Sequence, residues 1–543
     1  MQPTVLIVGA GPSGLVLANI LAAAGVEFRI IDKKTGPVRE SRAAIIHVRS
    51  LELLDKLNIA DPVVHQGIKT NRVEVYSLGR PSAEFALVPN RYQSRTPFPY
   101  ALLLGQHRTE ELLVDGLGDR NVEWETELIA LADHNSIVAA TVRRPGGSIE
   151  TIGARWVVGA DGATSVVRHT QGNRFIGKTY ELTGLLADVD ISLPSGSTLP
   201  WGALRLNLTR GGFVGMAYLG DGLCRLFGAV PPELAMHDKT TAISHEAYAT
   251  VGLDSLQCWF DDYFFVKAAL KRAEWTALYR IHSRIAERFR IGNVFLVGDA
   301  AHIHSPAGGQ GMNLGIGDAF NLGWKMSLVA RGLAHERLLD SYEEERYPIA
   351  QAILRNVDRG FALEATKGST GTWVRDHLAT RLVGPLMYSH WFQGLVFKLF
   401  SQTWITYRRS STVGGDLRLG MGLAPGDRAP YGTFEHSGGE TTSTFDVFAG
   451  PEHCFLLFEG SEPDENLPAV RQGLDELAAQ YAIGPRLQLV AWPERKLRHL
   501  YGVTKPSTVM LIRPDGHLEY VGSALDLDRL TNHFDRYYLR RPA

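Results

Sequence analysis

A glycine-rich turn between an apolar strand and a helix, at the start of the chain, constrains the fold most. Residues 4–8 (TVLIV) have the pattern of a buried strand, and GAGPSG at 9–14 follows them before a helical run at 15–24. In this GxGxxG pattern the first glycine makes a tight turn, the second admits a pyrophosphate and the third lets helix and strand pack closely. The helix N-terminus then presents free N–H groups to phosphate. The sequence therefore predicts a dinucleotide-binding βαβ unit.

Three aspartates follow predicted strands and extend this pattern. Asp32 ends the strand at 28–31, roughly 20 residues after the glycine motif, where such folds place an acceptor for a ribose hydroxyl. Asp161 lies in VVGADG and Asp299 in FLVGDA. Each Gly-Asp turn alone is uninformative, because such turns commonly just end a strand. The three motifs together, in this order along the chain and followed by the glycine-rich loop at 300–315, favour a flavoprotein over a nicotinamide dehydrogenase.

Length and charge limit the remaining possibilities. The chain has 543 residues, and one hydrophobic core stops growing at roughly 250–300 residues, so we expect about three domains. Hydrophobic residues make up 45% and charged residues 21%, as in ordinary globular proteins. Lysine plus arginine (56) nearly balances aspartate plus glutamate (58). The chain therefore has no strong positive field, and we expect no nucleic-acid partner.

Cysteine usage and hydropathy indicate the compartment. Cys224, Cys258 and Cys454 form no CxxC pair, so neither a disulfide framework nor a thiolate zinc site is predicted. The N-terminus lacks a basic region followed by a long apolar stretch. The most apolar segment, 383–404, is interrupted by polar residues before it reaches the about 20 residues that span a bilayer. We expect a cytoplasmic protein that does not associate with membranes.

The three ordered motifs closely resemble those of the single-component flavin-dependent aromatic hydroxylases, over roughly residues 4–360. The resemblance implies FAD as cofactor and NADPH (or NADH) as reductant. It also implies O2 as co-substrate, with a flavin hydroperoxide transferring oxygen to a phenolic or polycyclic aromatic substrate.

The resemblance also implies roles for individual residues. Asp32 would bind the adenosine ribose, Asp161 would serve both FAD and NADPH, and Asp299 would hold the ribityl chain. The full set of residues expected to bind the cofactor is Gly9, Gly11, Pro12, Ser13, Gly14, Asp32, Lys33, Arg42, Gln106, Asp161, Asp299, Gly311, Met312 and Asn313. Two residues are expected to act in catalysis: Arg42 near the flavin and the nicotinamide, and Pro306 through its backbone carbonyl.

Other polar residues remain open in function. His302 and His304 form an HxH pair, but no carboxylate or cysteine cluster accompanies them at ligand spacing, so no metal site is predicted. His304 could instead relay a proton near the flavin. The strand-rich segment contributes candidate pocket residues that could equally belong to a sheet surface or core: Arg205, Tyr218, Arg225 and Phe227.

The predicted fold class is α/β and α+β. A discontinuous Rossmann-type FAD-binding domain would comprise residues 1–72, 98–180 and 277–360, and an interleaved β-sheet substrate-binding domain residues 73–97 and 181–276. A helical connection (361–415) would lead to a C-terminal domain (416–543) that resembles thioredoxin. Its redox pair is missing, because residues 460–463 read GSEP, so we expect structural support or a contact in a homodimer.

Rival functions are a flavoprotein halogenase, a two-dinucleotide-domain oxygenase, a flavin dehydrogenase or reductase without oxygen transfer, and a flavin-bound regulatory protein. The WxWxI segment of halogenases and a second GxGxxG are both missing from the sequence, which disfavours the first two.

Overall fold

The computed structural model describes most of the chain. The described residues are 3–37, 43–77, 79–134, 136–195, 202–209, 212–220, 222–230, 251–304, 309–364, 389–415, 423–435, 441–459, 465–490, 495–503, 507–524 and 526–542. They form a mixed α/β architecture, as the sequence predicts.

The predicted βαβ unit lies in a five-stranded sheet, the parallel sheet. Its strands, in spatial order, are Arg290–Ile291, Val294–Leu296, Trp156–Gly159, Val5–Val8 and Phe28–Ile31. All neighbouring pairs are parallel except the first. Val5–Val8 is buried throughout, and helix Pro12–Ala23 follows it. Because the strands are parallel, the aspartates that follow three of them meet at one edge of the sheet.

A three-stranded antiparallel sheet packs beside it, formed by Glu127–Asp133, Val138–Arg143 and Ile149–Ala154. Ile149–Ala154 pairs in the antiparallel sheet, whereas Trp156–Gly159 enters the parallel sheet. The burial pattern explains the break at Arg155, because the first segment has exposed positions and the second is buried throughout.

The chain also forms an eight-stranded sheet, the long sheet. Its strands, in spatial order, are His302–Ile303, Ala269–Ala286, Phe175–Ser192, Leu223–Ala229, Gly212–Gly220, Ala203–Thr209, Arg72–Ser77 and Arg80–Ala86. Helix Leu253–Tyr263 covers one face through Trp259 and Phe260. The two 18-residue strands cross the predicted domain boundaries near 180 and 276, so those boundaries run through strands. The division into domains remains a prediction.

Helices pack around both sheets. Besides Pro12–Ala23 and Leu253–Tyr263, the α-helices among the described residues up to 415 are Val48–Asp55, Ala60–Gln66, Asn90–Gln93, Gln106–Asp115, Val166–Thr170, Gln310–Ala330, Ser341–Glu364 and His390–Ser401. Two 3-10 helices, Gly298–Ala300 and Glu336–Asp340, and a small sheet of Ile45–Ile46, Ala101–Leu103 and Ile68–Thr70 complete it. Gly323 lets Gln310–Ala330 approach Pro12–Ala23 closely, since an added Cβ would lie 2.9 Å from Ile20. In the described ranges, no helix is long and apolar enough to cross a membrane.

The C-terminal part contains a second five-stranded sheet, the C-terminal sheet. Its strands, in spatial order, are Gly414–Gly415, Leu518–Ser523, Thr508–Ile512, Cys454–Phe458 and Arg486–Val490. Its helices are Thr444–Val447, Leu467–Gln480, Arg495–Leu500 and Leu527–Tyr537, and Thr433–Glu435 pairs with Thr441–Ser443. From Cys454–Phe458 to Leu527–Tyr537, the chain order is strand, helix, strand, helix, hairpin and helix.

Buried ion pairs join the C-terminal sheet to the helices of the N-terminal part. Glu345 accepts hydrogen bonds from Lys325 Nζ at 2.8 Å and from Arg513 Nη1 at 2.7 Å. All three side chains are fully buried. Glu52, also buried, pairs with Arg428 of the C-terminal part.

Candidate active site

One cavity of about 650 Å³ lies where the carboxyl edge of the parallel sheet faces the long sheet. Polar groups and backbone of the glycine motif, the strand-ending turns and helix Gln106–Asp115 form one part of its wall. Apolar side chains of the long sheet form the other part. The cavity is therefore polar at one end and largely apolar at the other.

The three glycines of the first motif differ in their surroundings. A Cβ added to Gly9, whose φ is +106°, would lie 2.3 Å from the carbonyl oxygen of Ala160, and one on Gly14 would lie 2.0 Å from that of Gly9. A Cβ on Gly11 would meet nothing within 4 Å. Gly11 lines the cavity with Gly9, Pro12 and Ser13, whereas Gly14 lies behind the wall. Gly9 and Gly14 thus serve close packing, and Gly11 leaves space for a ligand at the helix N-terminus.

Asp32 and its neighbour Lys33 line the same end of the cavity. The buried Asp32 carboxylate accepts hydrogen bonds from the backbone N–H of Ala10 at 2.7 Å and of Lys34 at 2.9 Å. Two backbone donors fix its orientation, and each carboxylate oxygen keeps a second lone pair for a ligand hydroxyl.

The other two aspartates are less satisfied. Asp161 accepts from the backbone N–H of Val167 at 3.1 Å through Oδ2, while its buried Oδ1 has no partner in the described part of the chain. Burial raises the pKa of Asp161 above its ordinary value. Asp299 is exposed toward the cavity, and its carboxylate makes no hydrogen bond to any described residue. Both present acceptors to a ligand.

Gln106, Gly311 and Met312 also line the cavity. The Gln106 side chain accepts from the backbone N–H of Ala43 at 3.2 Å and donates to Glu110 at 2.8 Å. These two contacts fix the glutamine at the start of its helix, facing the cavity.

Asn313 lies outside the cavity lining and makes a structural contact. Its Oδ1 accepts from the backbone N–H of His47 at 2.8 Å, and its Nδ2 donates to the carbonyls of Ile45 and Gly309, each at 2.8 Å. The amide therefore joins the loop before helix Gln310–Ala330 to the strand at Ile45–Ile46, which lies beside the cavity. Any contact with a ligand would come from its backbone.

The two residues expected to act in catalysis, Arg42 and Pro306, lie outside the described residues. The same holds for the segment at 460–463 that replaces a redox pair.

The two histidines of the HxH pair have different surroundings. His302 is buried, and its Nε2 lies 2.6 Å from Asp318, which also accepts from Arg346 at 2.6 Å. His304 lines the cavity. Among the described residues, no group of histidine, cysteine and acidic side chains could hold a metal ion.

The apolar end of the cavity is formed mainly by the long sheet. The lining residues from its strands are Leu186, Leu204, Leu206, Phe213, Ala217, Arg225, Phe227, Gly228, Ala229, Tyr279, Ile281 and Ile303. Of the four residues proposed for the pocket from the sequence, Arg225 and Phe227 are among them. Arg205 instead pairs with Glu74 at 2.9 Å, and the Tyr218 hydroxyl accepts from the backbone N–H of Gly222 at 2.8 Å.

Sequence reasoning missed Tyr279. It lies opposite Gly184 in the strand pairing, and a Cβ on that glycine would lie 2.4 Å from the tyrosine ring. The ring therefore packs on the bare backbone of Gly184. Burial raises the pKa of Tyr279, so its hydroxyl stays protonated at neutral pH. Without the strand register, nothing in the sequence distinguishes this tyrosine from others in the sheet.

The cavity fits a dinucleotide that carries a flat ring. Open space at Gly11 provides room at the polar end. The Oδ1 of Asp161 and the carboxylate of Asp299, neither of which has a hydrogen-bond partner in the described part of the chain, provide acceptors there. The glycines at 309 and 311 leave the backbone accessible beside the apolar end.

Comparison with known proteins agrees with this assignment. A family model described as an FAD binding domain matches residues 2–357. The 6-methylpretetramide 4-monooxygenase of Streptomyces rimosus is 30% identical over 99% of this chain and 94% of its own length. Pentachlorophenol 4-monooxygenase of Sphingobium chlorophenolicum is 36% identical over 64% of this chain and 63% of its own. The structure of OxyS anhydrotetracycline hydroxylase from Streptomyces rimosus superposes with a TM-score of 0.74 and 27% identity, covering 100% of both chains.

Proposed function

The chain belongs to the family of FAD-dependent aromatic monooxygenases, and we propose that it hydroxylates a polycyclic aromatic substrate in the cavity between the parallel and long sheets. One observation carries this proposal: the polar end, with its glycine motif and aspartates, and the apolar wall of the long sheet belong to a single cavity. A cofactor at the polar end and an aromatic ring at the apolar end could therefore meet in one space.

We assign FAD binding to the lining residues of the polar end. The helix N-terminus at Gly11, Pro12 and Ser13 would receive the pyrophosphate, because its N–H groups and dipole favour negative charge. Asp32 would accept from the adenosine ribose. Asp299 would accept from the ribityl hydroxyls.

The remaining assigned groups line other parts of the cavity, except Asn313, which lies behind its wall. Gly311 and Met312 would contact the flavin ring, with Asn313 contributing through its backbone. Asp161 and Gln106 would contact the linker between ring and pyrophosphate, and Lys33 would contact the adenosine end. Arg42 and Pro306 keep the catalytic roles that the family resemblance implies.

When bound, reduced flavin activates O2 for transfer of one oxygen atom to an electron-rich ring. The described residues would then bind and orient the substrate and exclude water. Leu204, Leu206 and Phe213 offer an apolar surface to the substrate, and the exclusion of water limits side reactions. Tyr279 would donate its hydroxyl hydrogen to an oxygen of the substrate, since its raised pKa keeps it protonated.

The relatives favour a substrate with several rings. Of the two sequence relatives reported above, the one named for 6-methylpretetramide matches 99% of the chain, whereas the one named for the single-ring pentachlorophenol matches 64%. The solved structure of an anhydrotetracycline hydroxylase covers 100% of the chain. The apolar wall draws on six strands of the long sheet, which also suits a large flat ligand.

We propose NADPH or NADH as the reductant. The sequence contains no second GxGxxG motif, so the nicotinamide would bind transiently near Asp161 and Arg42 and leave before oxygen is activated.

We also propose that the C-terminal part is a thioredoxin-like domain with a structural role. Cys454 is buried, and burial raises the pKa of its thiol to about 12. Almost none of it is ionised at neutral pH, and the thiolate is the form that attacks disulfides.

The test is a direct assay of oxygen transfer. The purified protein should contain non-covalent FAD, consume NADPH slowly alone, and consume it faster with fused-ring phenols than with single-ring phenols. With ¹⁸O2, one labelled atom should appear in the product. Label arriving from water, or equal turnover under anaerobic conditions with a dye as acceptor, would instead indicate a hydratase or a dehydrogenase.

A further inference from the structure

Arg225 is the one charged side chain among the described long-sheet residues that line the cavity. The other lining residues of that sheet are apolar, apart from the tyrosine hydroxyl of Tyr279. A guanidinium in an apolar wall is costly unless its N–H groups are paired. The hydrogen-bond partners of Arg225 therefore show which of its N–H groups the protein pairs and which remain for a ligand.

Asp188 holds Arg225 in a fixed orientation. The two residues are opposite each other in the strand pairing, and Nε and Nη2 of the arginine both donate to the carboxylate, the latter at 2.7 Å. Trp275 Nε1 donates to the same carboxylate at 2.8 Å. Arg225 and Asp188 are each only 3% exposed. The bidentate pair and the indole together leave the guanidinium little freedom to rotate.

The remaining nitrogen, Nη1, has no hydrogen-bond partner among the described residues. Fully buried polar atoms without a partner do occur among the described residues, but Arg225 Nη1 is not one of them. This nitrogen therefore keeps some accessible surface. Because Arg225 is nearly buried and lines the cavity, that surface belongs to the cavity. The wall therefore presents a fixed, charge-assisted N–H donor to whatever occupies the apolar end.

We propose that Arg225 Nη1 binds an acceptor oxygen of the aromatic substrate, either a carbonyl oxygen or an ionised hydroxyl or carboxylate. This inference rests on the proposed function and specifies its substrate class. Asp188 neutralises the positive charge of Arg225, so the wall needs no counterion when no substrate is bound. The Nη1–H group nevertheless remains a strong, charge-assisted donor. A substrate with an alkyl or N–H group at this position would leave the donor unpaired and bind less tightly.

The test compares two ligands of nearly equal size in the FAD-loaded protein. The probes are 1-hydroxy-2-naphthoate, which offers a carboxylate, and 2-methyl-1-naphthol, which offers a methyl group at the same ring position. Equilibrium dialysis measures both dissociation constants without relying on turnover. We expect the wild type to prefer the carboxylate by about 10- to 150-fold, the range for a charge-assisted hydrogen bond.

Two variants test whether Arg225 causes the preference for the carboxylate probe. Arg225→Met alone would strand a buried carboxylate, so it is combined with Asp188→Asn, which keeps an acceptor for Trp275. This double variant should bind the two probes within about twofold of each other. Arg225→Lys, which keeps a donor without the fork, should retain part of the preference. Arg205→Gln is the matched control, since Arg205 is a buried, carboxylate-paired arginine of the same sheet that does not line the cavity.

The outcomes separate this inference from the proposed function. The inference is overturned if the wild type does not prefer the carboxylate probe, or if it binds neither probe. It is also overturned if the double variant keeps the preference. A double variant that loses FAD affinity while keeping the preference would assign Nη1 to the cofactor, which also overturns it. If FAD and the preference are both present but ¹⁸O2 is not incorporated, the proposed function fails and the acceptor site stands.

Discussion

At the scale of single residues, the three strand-ending aspartates differ in how far the protein satisfies them. Asp32 receives two backbone hydrogen bonds. Among the described residues, Asp161 keeps one buried oxygen without a partner, and the Asp299 carboxylate faces the cavity without a hydrogen bond. The same residue type at equivalent strand ends therefore has three different electrostatic settings, and the settings of Asp299 and Asp161 each lead to a prediction.

Replacing Asp299 with alanine should weaken FAD binding without harming the fold. The carboxylate makes no hydrogen bond to described residues, so the protein loses nothing internal, while the cofactor would lose a charged acceptor. We expect FAD affinity to fall by about 1.5–3 kcal/mol, or roughly 10- to 150-fold. Quenching of flavin fluorescence measures it. Asp119→Ala, at an exposed position away from the cavity, is the control, and equal affinity in both variants would contradict the role.

Asp161→Asn should stabilise the protein without FAD and weaken FAD binding. Since burial raises the pKa of Asp161, the folded state favours the protonated carboxyl. Stability is therefore full below the ordinary pKa near 3.8 and falls as the pH rises through the raised value. The amide avoids this loss, so thermal unfolding should show a gain at pH 7 that vanishes near pH 3. A variant less stable than wild type at pH 7 would contradict the prediction.

At the scale of elements, Gly11 and Gly14 open the same helix but should respond oppositely to substitution. A Cβ on Gly14 would lie 2.0 Å from a backbone oxygen, so Gly14→Ala should cost at least about 1–3 kcal/mol of unfolding free energy. Gly11→Ala meets open space and should leave stability without FAD within about 0.5 kcal/mol. It should instead reduce FAD affinity. Denaturant unfolding and FAD titration of both variants distinguish them, and equal losses of stability would refute the difference.

Local patterns predict the elements better than they predict the contacts between them. The βαβ unit follows from a strand, a glycine turn and a helical run within 31 residues, because period and turn chemistry act locally. The pairing of Asp188 with Arg225, 37 residues apart, depends on strand register, which a single sequence leaves open. Asn313 illustrates the same limit, since its partner His47 lies 266 residues away.

At the scale of the whole molecule, buried charge joins the C-terminal part to the rest. Glu345, in helix Ser341–Glu364, pairs with Lys325 and with Arg513, which follows a strand of the C-terminal sheet. The neighbouring positive charges lower the pKa of Glu345, so it is ionised at neutral pH. Breaking a buried ion pair by removing one partner costs about 3–5 kcal/mol, because the other charge is left uncompensated. Neither part can separate from the other without exposing such charges.

The full chain should therefore unfold in one cooperative transition, although proteins of several domains commonly unfold in steps. Ending the chain at residue 415 removes Arg513 and Arg428 and leaves Glu345 and Glu52 without them. We expect this truncated protein to be insoluble or to lose FAD, whereas Cys454→Ala, which changes one buried side chain, should keep turnover close to wild type. Calorimetry of the full chain and FAD content of both variants test this. Two resolved transitions, or a soluble truncated protein with full FAD content, would show that the C-terminal part is an independent unit and that the buried charges do not join the two.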